Sequence, residues 1–351
     1  MEVTATKDQI VASFRTQAEW GARLGSPFMA RLMTLTADAI ERGDEPTGLI
    51  GDWPGNPGAD GLALRFAGAV HALVLAGADP ALAVVYPPHP LSENLWPAVA
   101  AAMAARPDHF RSFLALSPQT NEVRRSALLL PGFIEIARRS GRKLRLLEIG
   151  ASAGLNLIWD RYRYSYGEGR TWGDPASPVE ISCEWHGAPF DFNQPVEIAG
   201  RAACDFAPID LADPAQRHRL RAYLWPDQPD RLARLDAAAA LALRLGFKVE
   251  RADAGEWLDR QLMRAADANT TTVLYHSVVW QYLPQTTRDR IRGRMADFGK
   301  TRPLAWLALE IARPDSAYEL RLRWWPGDGS QTGEKLAEAS PHGAWLKWDG
   351  K

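Results

Sequence analysis

The chain has 351 residues, 46% hydrophobic and 24% charged, which is too apolar for wholesale disorder and too long for one small domain. Lys and Arg number 41 against 42 Asp and Glu, so the basic excess that non-specific nucleic-acid binding requires is missing. Two cysteines, Cys183 and Cys204, are too few for a disulfide framework or a four-thiolate zinc site, and no metal site is expected.

The opening MEVTATKDQI has no apolar signal core, and no run of 18 uncharged apolar residues occurs, so a cytoplasmic protein without a membrane segment is expected. From Asp8 to Arg42 apolar residues recur at three- and four-residue steps, which predicts helix, with a helix start at Ser26-Pro27. Residues 49–61 are rich in Gly and Pro and read as loop, while 62–79 and 95–106 read as apolar helices. A further helix is predicted over 121–139, interrupted at Pro131 because proline has no backbone N–H to donate. Residues 1–143 are therefore expected to form a helical N-terminal cap on the substrate side.

After Arg142 short apolar strands alternate with helices. Strands are predicted at 144–149, 179–185, 196–206, 248–252, 271–279 and 304–312, and helices at 213–224, 230–245 and 286–299. Two last strands, 317–325 and 343–348, with a polar loop between them, predict an antiparallel edge hairpin, and 170–190 reads as an inserted hairpin. The pattern specifies an α/β domain over 144–351 built on a mostly parallel sheet. Of the 14 tryptophans, 11 follow residue 150; they are candidates for core packing or for an aromatic wall.

The most informative stretch is Leu144 to Leu157, LRLLEIGASAGLNL, a buried strand followed by a tight glycine turn and a helix. Such a turn lies at the carboxyl end of a parallel strand, where open sheets bind ligands. It lacks the glycine spacing of a dinucleotide fingerprint, because Gly150 and Gly154 are four apart with Ser152 between them. It does fit the nucleophile-elbow pattern G-x-S-x-G, with Ser152 as nucleophile and Asp253 with His276 or His342 as partners. A hydrolase of that kind needs several strands upstream, where this sequence predicts helices.

The turn also resembles the first motif of class I S-adenosylmethionine-dependent methyltransferases. Glu148 stands two residues before Gly150, followed by Ala151, Ser152 and Gly154, with Ser152 in place of a middle glycine. The resemblance implies a Rossmann-like sheet, S-adenosylmethionine as cofactor, and the methionine portion held by the turn 148–154. It further implies a ribose-binding acid after the second core strand, Asp205 or alternatively Glu184, and Asp253 near the adenine. The segment after the fourth strand, TVLYHSVVWQYLP, would line the methyl-transfer site, with His276 and Tyr282 catalytic and Trp280 on the substrate; the fifth strand would bring Glu310. Over nearly its whole length the chain is similar to the bacterial domain of unknown function 2332 family, through LSPQTNEVRRSALL (116–129), LEIGASAGLNLIWDRYRYSYG (147–167), CEWHG, PIDLADP and HSVVWQYLP.

Asn121 and Glu122 read either as a helix start or as substrate contacts projecting over the turn. The Asp160–Tyr164 run, DRYRY, reads as a solvated helix face or a small basic-aromatic patch. The expected function is methyl transfer to an unidentified small-molecule acceptor. A serine hydrolase using Ser152 and a non-catalytic nucleoside-binding protein are the alternatives.

Overall fold

The structure, a computed structural model, describes residues 4–44, 46–264, 267, 269–313 and 316–349. Seven helices come first: α1 (Lys7–Arg23), α2 (Pro27–Arg42), α3 (Gly48–Gly51), α4 (Leu62–Leu75), α5 (Pro80–Ala83), α6 (Leu95–Ala105) and α7 (Pro107–Leu114). Helix α8 (Ser126–Ser140) leads into β1 (Lys143–Ile149). Short strands β2 (Arg163–Ser165), β3 (Thr171–Trp172), β4 (Glu180–Ser182) and β5 (Glu184–Gly187) precede β6 (Ile198–Asp205). Helices α9 (Pro214–Ala222) and α10 (Pro229–Leu245), β7 (Glu250–Arg251), α11 (Ala254–Met263), β8 (Thr270–Ser277), α12 (Gln285–Gly299) and β9 (Leu304–Ile311) follow. The chain closes with β10 (Tyr318–Trp325), β11 (Thr332–Ala339) and β12 (Trp345–Trp348).

Contacts divide the chain into a helical unit, Met1–Thr120 with Asp213–Ala233, and a sheet unit, Asn121–Ala212 with Arg234–Lys351. The division falls before α8 and not at residue 143, because α8 packs on β9 and β10. In the helical unit, α1 opens with a capping box between Thr6 and Gln9. Helix α2 is capped by the Ser26 hydroxyl with Pro27 in its first turn. The two helices approach so closely at Gly21 that a β-carbon there would lie 2.9 Å from the Ala30 nitrogen. Helix α4 is apolar nearly all round and forms the buried centre of this unit, as its composition requires.

The sheet unit holds a nine-stranded sheet of order β5-β12-β11-β10-β9-β8-β1-β6-β7 and a small sheet of order β3-β2-β4. Strands β7, β6, β1, β8 and β9 are mutually parallel. The uninterrupted apolar run of β1 fits burial on both faces. One face meets Trp257 and Leu258 of α11 and Ile291 and Met295 of α12, packed on Leu147, Leu274 and Trp306. The opposite face meets α8, where Gly132 lies so close to Leu307 that a β-carbon would clash with it, and where Phe133 meets Tyr275 edge-on.

Three expectations are corrected. Pro131 does not interrupt α8, which runs unbroken from Ser126 to Ser140. The carbonyl that loses its partner to proline, Ala127 O, accepts instead from the Tyr166 hydroxyl at 2.6 Å. The polar loop before the last strand contains β11, so β10, β11 and β12 form an antiparallel meander and the two expected hairpin strands do not pair directly. The outermost strand on that side is β5, parallel to β12. The inserted hairpin is a three-stranded sheet whose Tyr164 is buried, as is Tyr162 beside it, with hydroxyls on the carbonyls of Trp159 and Leu155. Asp160 pairs with Arg201 at 2.7 Å, so the DRYRY run is mostly structural.

No helix of the described residues is long and apolar enough to cross a membrane.

Candidate functional site

In an open parallel sheet the ligand position lies beyond the carboxyl ends of the strands, where the strand order reverses. Here the chain moves outward from β1 to β6 and β7, then returns to the other side of β1 to place β8 and β9. The reversal therefore falls at the ends of β1 and β8, and the expected glycine turn sits there.

Gly150, Ser152 and Gly154 all have left-handed backbone, with φ of 65°, 53° and 75°. Glycine adopts this conformation without penalty; a serine does so at some cost. Two hydrogen bonds hold the turn in that shape: Ser152 N donates to Asp205 Oδ2 at 2.8 Å, and Ile209 N donates to Ser152 O at 3.1 Å. The other carboxylate oxygen of Asp205 accepts from Ala207 N at 2.8 Å. Asp205 is thus the clamp that ties the end of β6 to the turn after β1. Glu184, the other acid considered for the ribose, lies on the edge strand β5 across the sheet.

The segment after the turn is a short 3-10 helix, Leu155–Arg161, broken at Ile158, and not a long α-helix. Asn121 and Glu122 anchor it. Leu155 N donates to Asn121 Oδ1 at 2.9 Å and Asn156 Nδ2 donates to the Glu122 carbonyl at 3.3 Å. The polar cluster therefore supports the glycine turn from behind, and both side chains are buried.

Glu148 points to the α8 side of the sheet and is fully enclosed. The Tyr275 hydroxyl donates to it at 3.1 Å. Burial pushes its carboxyl up to about 8, with the Asp205 charge adding to the effect and the Tyr275 bond opposing it. Three polar atoms on the same stretch, Ser152 Oγ, Asn156 Oδ1 and Trp159 Nε1, are buried without a hydrogen-bond partner among the described residues. Unpaired buried groups are rare in folded chains and often mark a place where a ligand or water belongs.

Opposite the turn, His276 at the end of β8 is buried and has both ring nitrogens engaged. The indole N–H of Trp306 can only donate, so Nε2 accepts from it at 3.0 Å, and Nδ1 faces Glu310 Oε1 at 2.6 Å. The same Glu310 oxygen accepts from Val279 N at 3.0 Å and Trp280 N at 3.2 Å. Burial opposes ionisation of Glu310, but these donors outweigh it and hold its pKa below the usual carboxylate range. His276 also stacks on Trp280, with ring centroids 5.3 Å apart, and Arg292 lies 5.2 Å from the centre of the Trp280 ring. His276 is consequently a positioning residue: with Glu310 it fixes the 278–282 segment.

That segment is strained and close. Val278 has φ of 57°, costly for a β-branched residue. Val279 then places its side chain where a β-carbon on Gly150 would be. Tyr282 is largely exposed and Trp280 half-buried. Trp159 lies in the core, stacked on Phe133 at 4.5 Å.

Asp253, at the start of α11, accepts from Gly255 N and Glu256 N through Oδ1 and from the Thr287 hydroxyl through Oδ2. It is a helix cap tied to α12. Cys183 and Cys204 are buried free thiols, and among the described residues no three metal-ligating side chains cluster. Tyr275, Asn156 and Val279 belong to the site although the sequence does not single them out. The register that sets Tyr275 beside Glu148 depends on long-range pairing.

No curated protein and no solved structure matches the chain. Residues 11–348 match the family described as uncharacterized protein conserved in bacteria (DUF2332), and the chain belongs to that family.

Proposed function

We propose that the sheet unit binds a nucleoside sulfonium of the S-adenosylmethionine type at the carboxyl ends of β1, β6 and β8 and transfers its methyl group to a small acceptor. The observation that carries the reading is the position of the left-handed turn 150–154, at the reversal of strand order and tied to an acid on the neighbouring strand. When bound, the sulfonium supplies an activated methyl group for in-line displacement.

The residues present fit such a ligand in kind. Each Asp205 oxygen accepts one backbone N–H and retains a second lone pair for a ribose hydroxyl. The buried, unpartnered Ser152 Oγ and Asn156 Oδ1 are available acceptors beside the turn. Glu148, protonated near neutrality, adds no charge to repel an anionic carboxylate. Asp253 would reach the adenine only through the rim of its capped turn. Because His276 is committed to Glu310 and Trp306, it holds the 278–282 segment and transfers no proton. Displacement by a soft or already deprotonated acceptor needs orientation more than a base. Exposed Tyr282 and half-buried Trp280 would face the acceptor.

Val279 covers Gly150, so ligand entry requires the 278–282 segment to withdraw. The strain at Val278 lowers the cost of that movement.

A serine hydrolase is the second reading. It draws on the positive φ of Ser152, a feature of an elbow nucleophile, although the Ser152 Oγ is buried and bonds no base. Against it, the nearby His276 has neither nitrogen available. Thermal unfolding separates the two: S-adenosylhomocysteine is expected to raise the midpoint in a concentration-dependent way. Covalent labelling of Ser152 by a fluorophosphonate with no shift from the nucleoside would favour the hydrolase.

A further inference from the structure

The carboxyl ends of β8 and β9 offer an acceptor little help in losing a proton. His276 has both ring nitrogens engaged. Glu310, whose donors outweigh its burial and hold its pKa below the usual carboxylate range, is a weak base. Tyr318, at the start of β10, is half-buried, and burial raises the pKa of its hydroxyl. An acceptor already ionised at neutral pH suits such a place.

The same end of the sheet carries an unpaired cation. Arg125 closes the 3-10 turn Val123–Arg125 that leads into α8, and it is half-buried. Its Nε donates to Pro341 O at 3.2 Å, and among the described residues no carboxylate pairs with it. Arg139 and Arg201, half-buried elsewhere in the sheet unit, are paired with Glu135 and Asp160. The anchor of Arg125 is firm. Ser340 Oγ accepts from Ala344 N at 2.6 Å and Trp345 N at 3.2 Å, which fixes the loop between β11 and β12. Gly343 in that loop packs so closely on the Arg124 carbonyl that a β-carbon would clash with it.

Tyr318 lies opposite Ile311 on one side and Ala339 on the other, between the strand end that bears Glu310 and the loop that holds Arg125. The charges of Arg125, Tyr282 and Glu310 all act on its hydroxyl. Asn121, at the head of the segment that ends in Arg125, holds the glycine turn through Leu155 N.

Resting on the reading of that turn as a methyl-donor site, we propose that the acceptor is a small carboxylic acid, held as its carboxylate by the Arg125 guanidinium and the Tyr318 hydroxyl. A planar guanidinium presents paired N–H donors that match a carboxylate. With one oxygen on Arg125, the other displaces sulfur from the methyl carbon. An O–C bond forms, the C–S bond breaks with its electron pair left on sulfur, and a methyl ester and a neutral thioether result. No proton moves, in keeping with a committed His276.

Ligand-observed NMR titration of the full chain with acetate, hexanoate and benzoate, each against its primary amide, tests the carboxylate site without turnover. At least one acid is expected to bind saturably and about tenfold or more tightly than its amide. Arg125→Gln is expected to bring that acid to the level of its amide, and Tyr318→Phe to weaken it several-fold, with circular dichroism reporting whether each variant is folded. Absence of saturable acid binding, equal binding of acid and amide, or undiminished acid binding by a folded Arg125→Gln would overturn the proposal. S-Adenosylhomocysteine titrated into the same chain keeps the two readings apart. Nucleoside binding without acid preference would refute the acceptor class alone. Acid preference that needs Arg125, in a chain that binds no nucleoside, would uphold the carboxylate site and refute its role in methyl transfer.

Discussion

Val279 occupies the space that a side chain on Gly150 would need. The contact joins the end of β1 to the segment after β8 and couples two residues 129 positions apart in the chain. Replacing Gly150 by Ala adds a methyl group against Val279 and forces a non-glycine residue to φ of 65°. The expected destabilisation is about 1–3 kcal/mol in urea unfolding. Val279→Ala in the same chain should recover the steric part and leave the conformational part. The double variant is then more stable than the sum of the two single losses by over ~0.5 kcal/mol. Additive losses would mean that the two residues do not share that space.

Glu148 gives the fold a dependence on pH. Burial raises its pKa to about 8, so the folded chain retains a proton that the unfolded chain releases in the ordinary carboxyl range. Between that range and about 8 the folded state binds more protons, and stability falls as pH rises. Glu148→Gln keeps the acceptor for Tyr275 and removes the titration. Its stability relative to the parent should improve by on the order of 1 kcal/mol or more between pH 5 and pH 8. A difference that does not vary with pH would show Glu148 to be ionised in the fold.

Glu310 is expected to hold the 278–282 segment through its bonds to Val279 N and Trp280 N. Glu310→Ala leaves those donors and His276 Nδ1 without their acceptor, at a cost of about 1–3 kcal/mol. Amide hydrogen exchange at Val279 and Trp280 should accelerate more than exchange in the middle of β8. Uniform acceleration would indicate general loosening and no specific latch.

Asp205 is predicted to have separable roles. Asp205→Asn retains one acceptor oxygen, for either Ser152 N or Ala207 N, whereas Asp205→Ala retains none. Stability should fall in the order Asp, Asn, Ala, by about 1 kcal/mol or more overall. Nucleoside binding should be lost in both variants if the ribose needs the carboxylate. Full binding by a folded Asp205→Ala would remove Asp205 from the ligand site.

The parallel core was legible because its strands are short apolar runs separated by helical periodicity, and LRLLEIGASAG marks both a strand end and a turn. What was not legible arises from long-range pairing. Strand β11 is mostly polar with few β-branched residues and is a strand because β10 and β12 flank it. Pro131 sits inside a helix because a tyrosine 35 residues later supplies the missing donor. In the site, Asp205 and Asp253 fall at the expected strand ends, yet the Asp205 carboxylate bonds the turn after β1 and its own local backbone, and that of Asp253 bonds its own helix start and a neighbouring helix. Residue type and spacing say where a carboxylate lies and not which donors reach it first. The same holds for His276, a base candidate by residue type in the sequence, while Trp306 and Glu310 become its partners only in the folded sheet.

Calorimetric titration of S-adenosylhomocysteine into the unaltered chain and into Val279→Ala tests whether the glycine turn takes a nucleoside. Single-site binding that strengthens when the valine is trimmed is the predicted result, because the ligand then displaces less of the closed segment. No heat of binding from either protein at millimolar ligand would contradict it.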